Sequence, residues 1–267
     1  MTHGGMTETT GLVLEIILAS GFFILIGLYF WAGIVSSRCN RLRKWPLYRY
    51  IFWLVGNMCA AAAVTGPLAH LAHADFTIHM LGHLLLGMLA PILLVLSAPM
   101  TLLLRTLTVN WAKRVTGFLN SLPVRFVGHP INASVLNMGG LWVLYATDLY
   151  MLMHHSLVIN ILIHLHVFLA GYVFTAAMIY IDPISHRYSF RYRSIVLILA
   201  IASHAILSKY IYSNPPATVP VSDAEAGAML MYYGGDMVDL ILIFILCLQW
   251  YNAARPEIAS DRKPIIN

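Results

Sequence analysis

FTIHMLGHLLLGMLAPILLVLSA, residues 76–98, runs for 23 residues without one Asp, Glu, Lys or Arg. As an α-helix this stretch is about 34 Å long, enough to cross the roughly 30 Å hydrocarbon core of a bilayer. The run is continuous and does not alternate, so it does not read as a barrel strand. In lipid every backbone N–H and C=O needs a partner, and a helix supplies all of them within one segment. Comparable apolar segments lie at about 11–35, 48–71, 131–150, 157–181, 194–212 and 227–250, making seven with 76–98. The chain therefore reads as an all-α polytopic membrane protein of seven transmembrane helices. These form a single domain over about 1–250, followed by a cytoplasmic tail at 251–267.

Composition agrees. Of the 267 residues 60% are apolar and 10% charged, against roughly 25% charged in an ordinary globular domain, and the mean hydropathy is +0.76. A soluble globular fold, a disordered chain, a collagen-like chain and a disulfide-stapled scaffold are all excluded. Cys39, Cys59 and Cys247 stand in distant segments with no CxxC, so they spell neither a zinc ribbon nor a redox pair.

The formal charge of +5 acquires meaning from its placement. Fifteen of the sixteen Lys and Arg residues fall on alternate connections: 36–49, 99–130, 182–193 and the tail, with only Lys209 on the other side. By the positive-inside rule the N-terminus is out and the C-terminus in. The first ten residues carry no basic cluster and 11–35 leads straight into a basic loop, so this segment reads as a retained span and not a cleaved signal. The basic charge is topological, and no nucleic acid is inferred from it. The longest connection, 99–130, sets Leu102, Leu103, Leu107, Trp111, Val115 and Phe118 at helical spacing beside Arg105, Lys113 and Arg114. This reads as an amphipathic helix on the inner surface, the alternative being a basic solvated loop.

Histidine is the oddity of the composition, twelve against eleven acidic residues. On this topology His70 and His73 end the second segment on the outer side, His79 and His83 begin the third there, and His154 and His155 lie in the outer connection 151–156. His83, His164 and His204 come out at one depth, roughly 12 Å below the outer surface, on three different helices. His79 and His83 form HxxxH, a spacing that stacks two imidazoles on one helix face and lets them bind one metal. An ionisable side chain inside a span usually faces the bundle interior and marks a site, although each could simply hydrogen-bond a neighbouring helix. His166 points about 200° away from His164 around the helix, so one of the two reads as a structural hydrogen-bonder. His129 and His186 lie on the inner side among surface charges and read as ordinary loop residues.

Other residues extend the pattern. Met80 sits inside the HxxxH, Met151 and Met153 precede His154, and Met229 and Met231 open the seventh segment. Imidazole with thioether suits copper, thioether favouring the cuprous ion. Asp236 and Asp239 lie deep in the same segment, where a carboxylate can accept from an imidazole, join a proton route or lock two helices together. Pro91 should kink the third segment, and Gly234–Gly235 permits a close helix approach or a local break.

His79-Met80-Leu81-Gly82-His83-Leu84-Leu85-Leu86 followed by Ala90-Pro91 and Ala98-Pro99 resembles the HMxxHLLL…AP…AP signature of the CtaG family of cytochrome c oxidase assembly factors. His164 with Phe168-Leu169-Ala170-Gly171 is similar to a second motif of that family, and Asp223 through Tyr232 to a third. Where the family often carries two further histidines, this chain has Tyr145 and Asn160; in the third motif Glu225, Ala228 and Tyr232 replace the usual residues. The resemblance implies a seven-helix protein of a bacterial plasma or inner membrane that helps furnish copper to a haem-copper oxidase. Its partners would be an oxidase subunit or another copper chaperone.

The expected metal ligands are His79 and His83 as a chelating pair, His164 and His204 deeper, His70 and His73 at the mouth, and Met231 as a weaker candidate. Copper is the expected metal. A membrane haem protein using His83, His164 and His204 as axial ligands is the oxidoreductase alternative, and a copper or proton transporter working through Asp236 and Asp239 is a third. No nucleophile–base constellation is visible, since Ser203 points about 100° away from His204 around the helix, and the chain reads as a non-enzyme.

Overall fold

Fourteen helices, α1 to α14, and two π turns, joined by short connections, are found among the described residues of the computed structural model, which are 3–38, 42–184 and 186–255. Cys39, Arg41, Arg262 and Lys263, with most of the 251–267 tail, lie outside them. Among the described residues there is no strand. Six helical rods are long and apolar enough to cross a membrane: Glu15–Arg38, Leu47–Val64, Phe76–Leu96, Leu157–Met178, Phe190–Ser213 and Val221–Ala254. The first lies within α1 (His3–Arg38) and the second is α2 (Leu47–Val64).

The second predicted segment is shorter than expected because Gly66-Pro67 breaks it. Residues before proline avoid the helical region, and here Thr65 is extended while Gly66 takes φ +77°, a conformation open to glycine. The chain restarts as a separate short helix, α3 (Gly66–Ala72), so His70 and its capping residue His73 do not belong to α2.

The third rod comprises α4 (Phe76–Leu84), a π turn at Leu85–Leu89 and α5 (Ala90–Leu96). Its start is set by Asp75, whose Oδ1 accepts from the backbone N–H of Thr77 at 2.7 Å and Ile78 at 3.1 Å. Pro91 has no N–H to offer the Gly87 carbonyl one turn back, and the irregularity expected at the proline takes the form of the π turn. Gly171 fills the gap from the neighbouring rod: a Cβ there would overlap the Gly87 carbonyl oxygen, so the two backbones meet directly.

The predicted inner-surface helix over 99–130 is three helices: α6 (Pro99–Thr106), α7 (Val109–Leu119) and α8 (Leu122–Val127). Extended residues at Leu107, Thr108 and Ser121 divide them. Leu102 is buried, whereas Trp111 and Phe118 are exposed. Asp182 anchors this end of the bundle, its carboxylate accepting from the N–H groups of Met100 and Thr101 and from the Thr101 hydroxyl.

The predicted fourth span is α9 (Pro130–Ser134), a π turn at Val135–Gly139 and α10 (Gly140–Ala146). It is shorter than the expected 131–150, because Thr147 is extended and a separate helix, α11 (Leu149–His155), follows. At about 25 Å it falls just short of the six longer rods. Its Ala133 and Met138 pack with Phe174 and Met178, and its Leu144 and Tyr145 pack with Phe76 and Met80. Three long helices complete the bundle: α12 (Leu157–Met178), α13 (Phe190–Ser213) and α14 (Val221–Ala254), the last unbroken through Gly234–Gly235.

Buried side chains form one large core near α9 and the start of α13 and another near α4, α10 and α11. The outside is also apolar, with Phe23, Trp31, Ile198 and Phe244 more than 60% exposed. Such large apolar side chains, repeated around the rods, suit contact with lipid and not with water. The protein is thus a multi-pass helical membrane protein.

Candidate metal centre

Histidines gather at the end of the bundle away from the basic connections. A cavity of about 420 Å³ is lined there by His70, His73, His79, His154 and His164, with Glu15, Met153 and Asn160. Five elements contribute: α3 and its cap carry His70 and His73, α4 carries His79, α11 carries His154, α12 carries His164 and α1 carries Glu15. The His73 and His154 rings are 5.9 Å apart, and those of His79 and His154 are 6.4 Å apart.

Backbone carbonyls set the tautomer of two of these imidazoles. Nδ1 of His154 lies 2.9 Å from the Tyr150 carbonyl oxygen, and Nδ1 of His164 lies 2.9 Å from the Asn160 carbonyl oxygen. A carbonyl can only accept, so each Nδ1 carries the proton and each Nε2 keeps its lone pair. A histidine whose other nitrogen is tied in this way is oriented and made more basic as a metal ligand. His70 is held differently, its Nε2 donating to the Glu15 carboxylate at 2.7 Å. His79 is buried, and its Nε2 shares a hydrogen bond of 3.1 Å with the Tyr145 hydroxyl. Its ring is also edged by Tyr150, with centroids 5.1 Å apart.

Outside the spans, His73 is held below the usual imidazole range, first by burial and then by the nearby rings of His154, His164 and His70. It therefore stays neutral, the form that ligates, into mildly acidic conditions.

His83 and His204 stand apart from the cavity. Both are buried, their ring centroids are 6.2 Å apart, and Nε2 of each is enclosed without a hydrogen-bond partner. The two members of the HxxxH thus have different company: His79 meets Tyr145, Tyr150 and His154, whereas His83 meets His204 and Tyr145. The expected layer of His83, His164 and His204 is divided in the same way, because His164 lines the cavity. Met231 is fully buried in the core around Tyr145 and Met80.

Among the described residues, no three His, Cys, Asp or Glu side chains are arranged to hold one metal ion. Pairs of imidazoles are what the fold brings together. No hydrogen bond links Asp236 or Asp239 to an imidazole among the described residues, and Asp239 is buried. Both members of the His164/His166 pair bond a backbone carbonyl, but only His164 lines the cavity; Nε2 of His166 donates to the Leu136 carbonyl at 3.2 Å within the second π turn.

Three residues of the centre were not among the expected ligands. His154 was assigned only to a connection, and nothing local shows that this connection coils into α11 and turns back over His73. Glu15 sits in an apolar run with no partner nearby in sequence, and Tyr145 is signalled in the sequence only as the residue standing where the family often carries a histidine. A larger cavity of about 610 Å³ at the opposite end is mostly apolar, and His186 is the one histidine on its wall.

An uncharacterized protein of Mycobacterium leprae (strain TN) is 27% identical over 264 residues, covering 90% of this chain and 40% of the relative. Uncharacterized proteins of Mycobacterium bovis and Mycobacterium tuberculosis are each 34% identical over 203 residues, covering 72% of this chain and 30% of theirs. The chain thus spans well under half the length of these relatives. No solved structure matches it. Residues 27–253 match the family model described as cytochrome c oxidase caa3 assembly factor, and the chain belongs to that family, Caa3_CtaG.

Proposed function

We propose that this chain is a copper-handling assembly factor, a non-enzyme that takes a copper ion as cargo at its histidine-lined end and hands it to a haem-copper oxidase subunit or to another chaperone. The observation that carries the reading is the pair His154 and His164, each with Nδ1 tied to a carbonyl and Nε2 left free on the wall of one cavity with His73 and His79. Imidazole is a good copper donor, and a site made of few ligands exchanges its metal more readily than a closed four-ligand cage. The family supplies the oxidase, and the donor set supports copper as the cargo.

In the topology that goes with this reading, the rod over 130–146 is a seventh crossing. Its ends pack against opposite ends of the bundle, and a path from α5 to α12 needs one crossing between them. The basic connections then face the cytoplasm and the cavity faces outward.

The test is metal content and the ultraviolet–visible spectrum of the detergent-purified protein, reduced and oxidised, beside a His154→Ala/His164→Ala variant. Copper held by the wild type, with the cupric copper lost by the variant, supports the reading. A stoichiometric Soret band sinks it in favour of a haem protein, and absence of copper after loading sinks it outright.

A further inference from the structure

We propose that His83 and His204 form a second, buried site for a monovalent d10 cation, the cuprous ion when the cargo is copper, separate from the cavity. This rests on the copper reading above and adds which oxidation state the interior accepts and where.

The first argument is the pair of orphaned nitrogens. His83 is 7% and His204 2% exposed, and Nε2 of each is buried with no hydrogen-bond partner. A buried polar atom without a partner is costly, and native folds rarely tolerate it without a reason. Here two such atoms sit on separate helices, α4 and α13, on rings whose centroids are 6.2 Å apart. With metal–imidazole bonds of about 2 Å and half a ring added on each side, two rings sharing one ion have centroids about 6 Å apart.

Small residues then make room for the rings. A Cβ on Gly235 would lie 2.5 Å from Cε1 and 2.9 Å from Nδ1 of His204, so α14 must present a glycine there. Gly87, in the π turn after α4, lies behind His83, where a Cβ would come 3.4 Å from the ring. One turn before Gly235 on α14, Met231 is fully buried, and so is Leu207 three residues after His204.

Charge selects the ion. Both donors are neutral nitrogens, and no hydrogen bond ties Asp236 or Asp239 to either ring among the described residues. The penalty for burying an ion grows with the square of its charge, so a divalent ion here would pay about four times the cost of a monovalent one. A d10 monovalent ion also accepts two donors, whereas cupric and zinc ions want four or more. Tyr145 lies between the two sites, its hydroxyl on Nε2 of His79 and its ring centroid 6.3 Å from that of His83. The ion passes from cavity to pair as the cuprous form throughout, with no change of oxidation state.

The experiment uses the full chain in detergent without oxygen. Cuprous ion is titrated against a chromogenic cuprous chelator, silver(I) serves as a second monovalent probe, and cupric and zinc ions are titrated in parallel. The variants are His83→Ala, His204→Ala, the milder His204→Gln and His154→Ala/His164→Ala. We expect His83→Ala and His204→Ala each to weaken the tight cuprous and silver class at least tenfold while cupric binding stays. X-ray absorption of the wild type loaded with less than one equivalent of cuprous ion, which fills the tight class alone, should show a two-coordinate nitrogen environment. Unchanged cuprous and silver binding in His83→Ala and His204→Ala, with copper still bound, overturns this inference and leaves the proposed function standing. Absence of copper binding in any state overturns both. If the variants fail to fold, the wild-type spectrum at less than one equivalent of cuprous ion still decides: three or more donors, or a Soret band, overturns the pair.

Discussion

The Tyr145 hydroxyl lies 3.1 Å from Nε2 of His79, joining α10 to α4 across 66 residues of sequence. The bond uses the nitrogen that His79 would otherwise offer to a metal, while the ring of Tyr145 also meets His83. The tyrosine therefore governs whether His79 is a donor toward the cavity or a partner to its neighbour helix.

Tyr145→Phe removes this bond with little change of shape. The expected cost is about 1 kcal/mol of stability, read as a small drop in the thermal unfolding midpoint in detergent. His79 gains a free nitrogen, and cupric binding at the cavity should tighten. Weaker cupric binding in a well-folded variant would show that the hydroxyl itself helps to hold the ion.

Gly235→Ala should be much worse than an ordinary glycine replacement, because its Cβ would overlap the His204 ring. Overpacking of this kind costs about 1–3 kcal/mol, and the displaced ring should lose cuprous binding with it. Gly21→Ala is the control, since nothing lies within 4 Å of its added Cβ. It should be neutral or slightly stabilising. Equal effects at the two positions would contradict the close approach of α14 to α13.

Asp75 caps α4 through the N–H groups of Thr77 and Ile78. Asp75→Ala should cost about 1 kcal/mol, and Asp75→Asn, which keeps an acceptor oxygen, clearly less. Equal losses, measured as unfolding midpoints, would mean that the carboxylate charge and not the cap sets the start of the helix.

Stability should also fall on acidification through His73. Its folded pKa is depressed below the ordinary 6.5, chiefly by burial. The unfolded chain then takes up a proton at a pH where the folded chain does not. The contribution is complete above about pH 6.5 and is lost as pH falls from there toward the lower folded value. His73→Asn should flatten the fall in unfolding midpoint between pH 7 and pH 5, and a variant that keeps the full slope would assign the effect to other histidines.

The sequence by itself determined the all-helical membrane class, the positions of the six long rods and the two ends of the bundle. These follow from local requirements: an apolar run must match the hydrocarbon thickness, its backbone must bond within itself, and Lys and Arg must stay off it. It also pointed to the histidines as the unusual chemistry and to the family. What it did not contain was their partnership. His79 and His83 are one turn apart on α4, yet one turns to Tyr145 and the cavity and the other to His204. His154 reaches the cavity only because Ser156 is extended and α11 folds back on α12, and Gly66-Pro67 makes α3 a separate helix. Rotation of a helix about its axis shifts which neighbour a residue meets without altering its own sequence pattern. That rotation is settled by packing, at Gly171 on the Gly87 carbonyl and at Gly235 on His204, where only the assembled bundle shows which backbones touch.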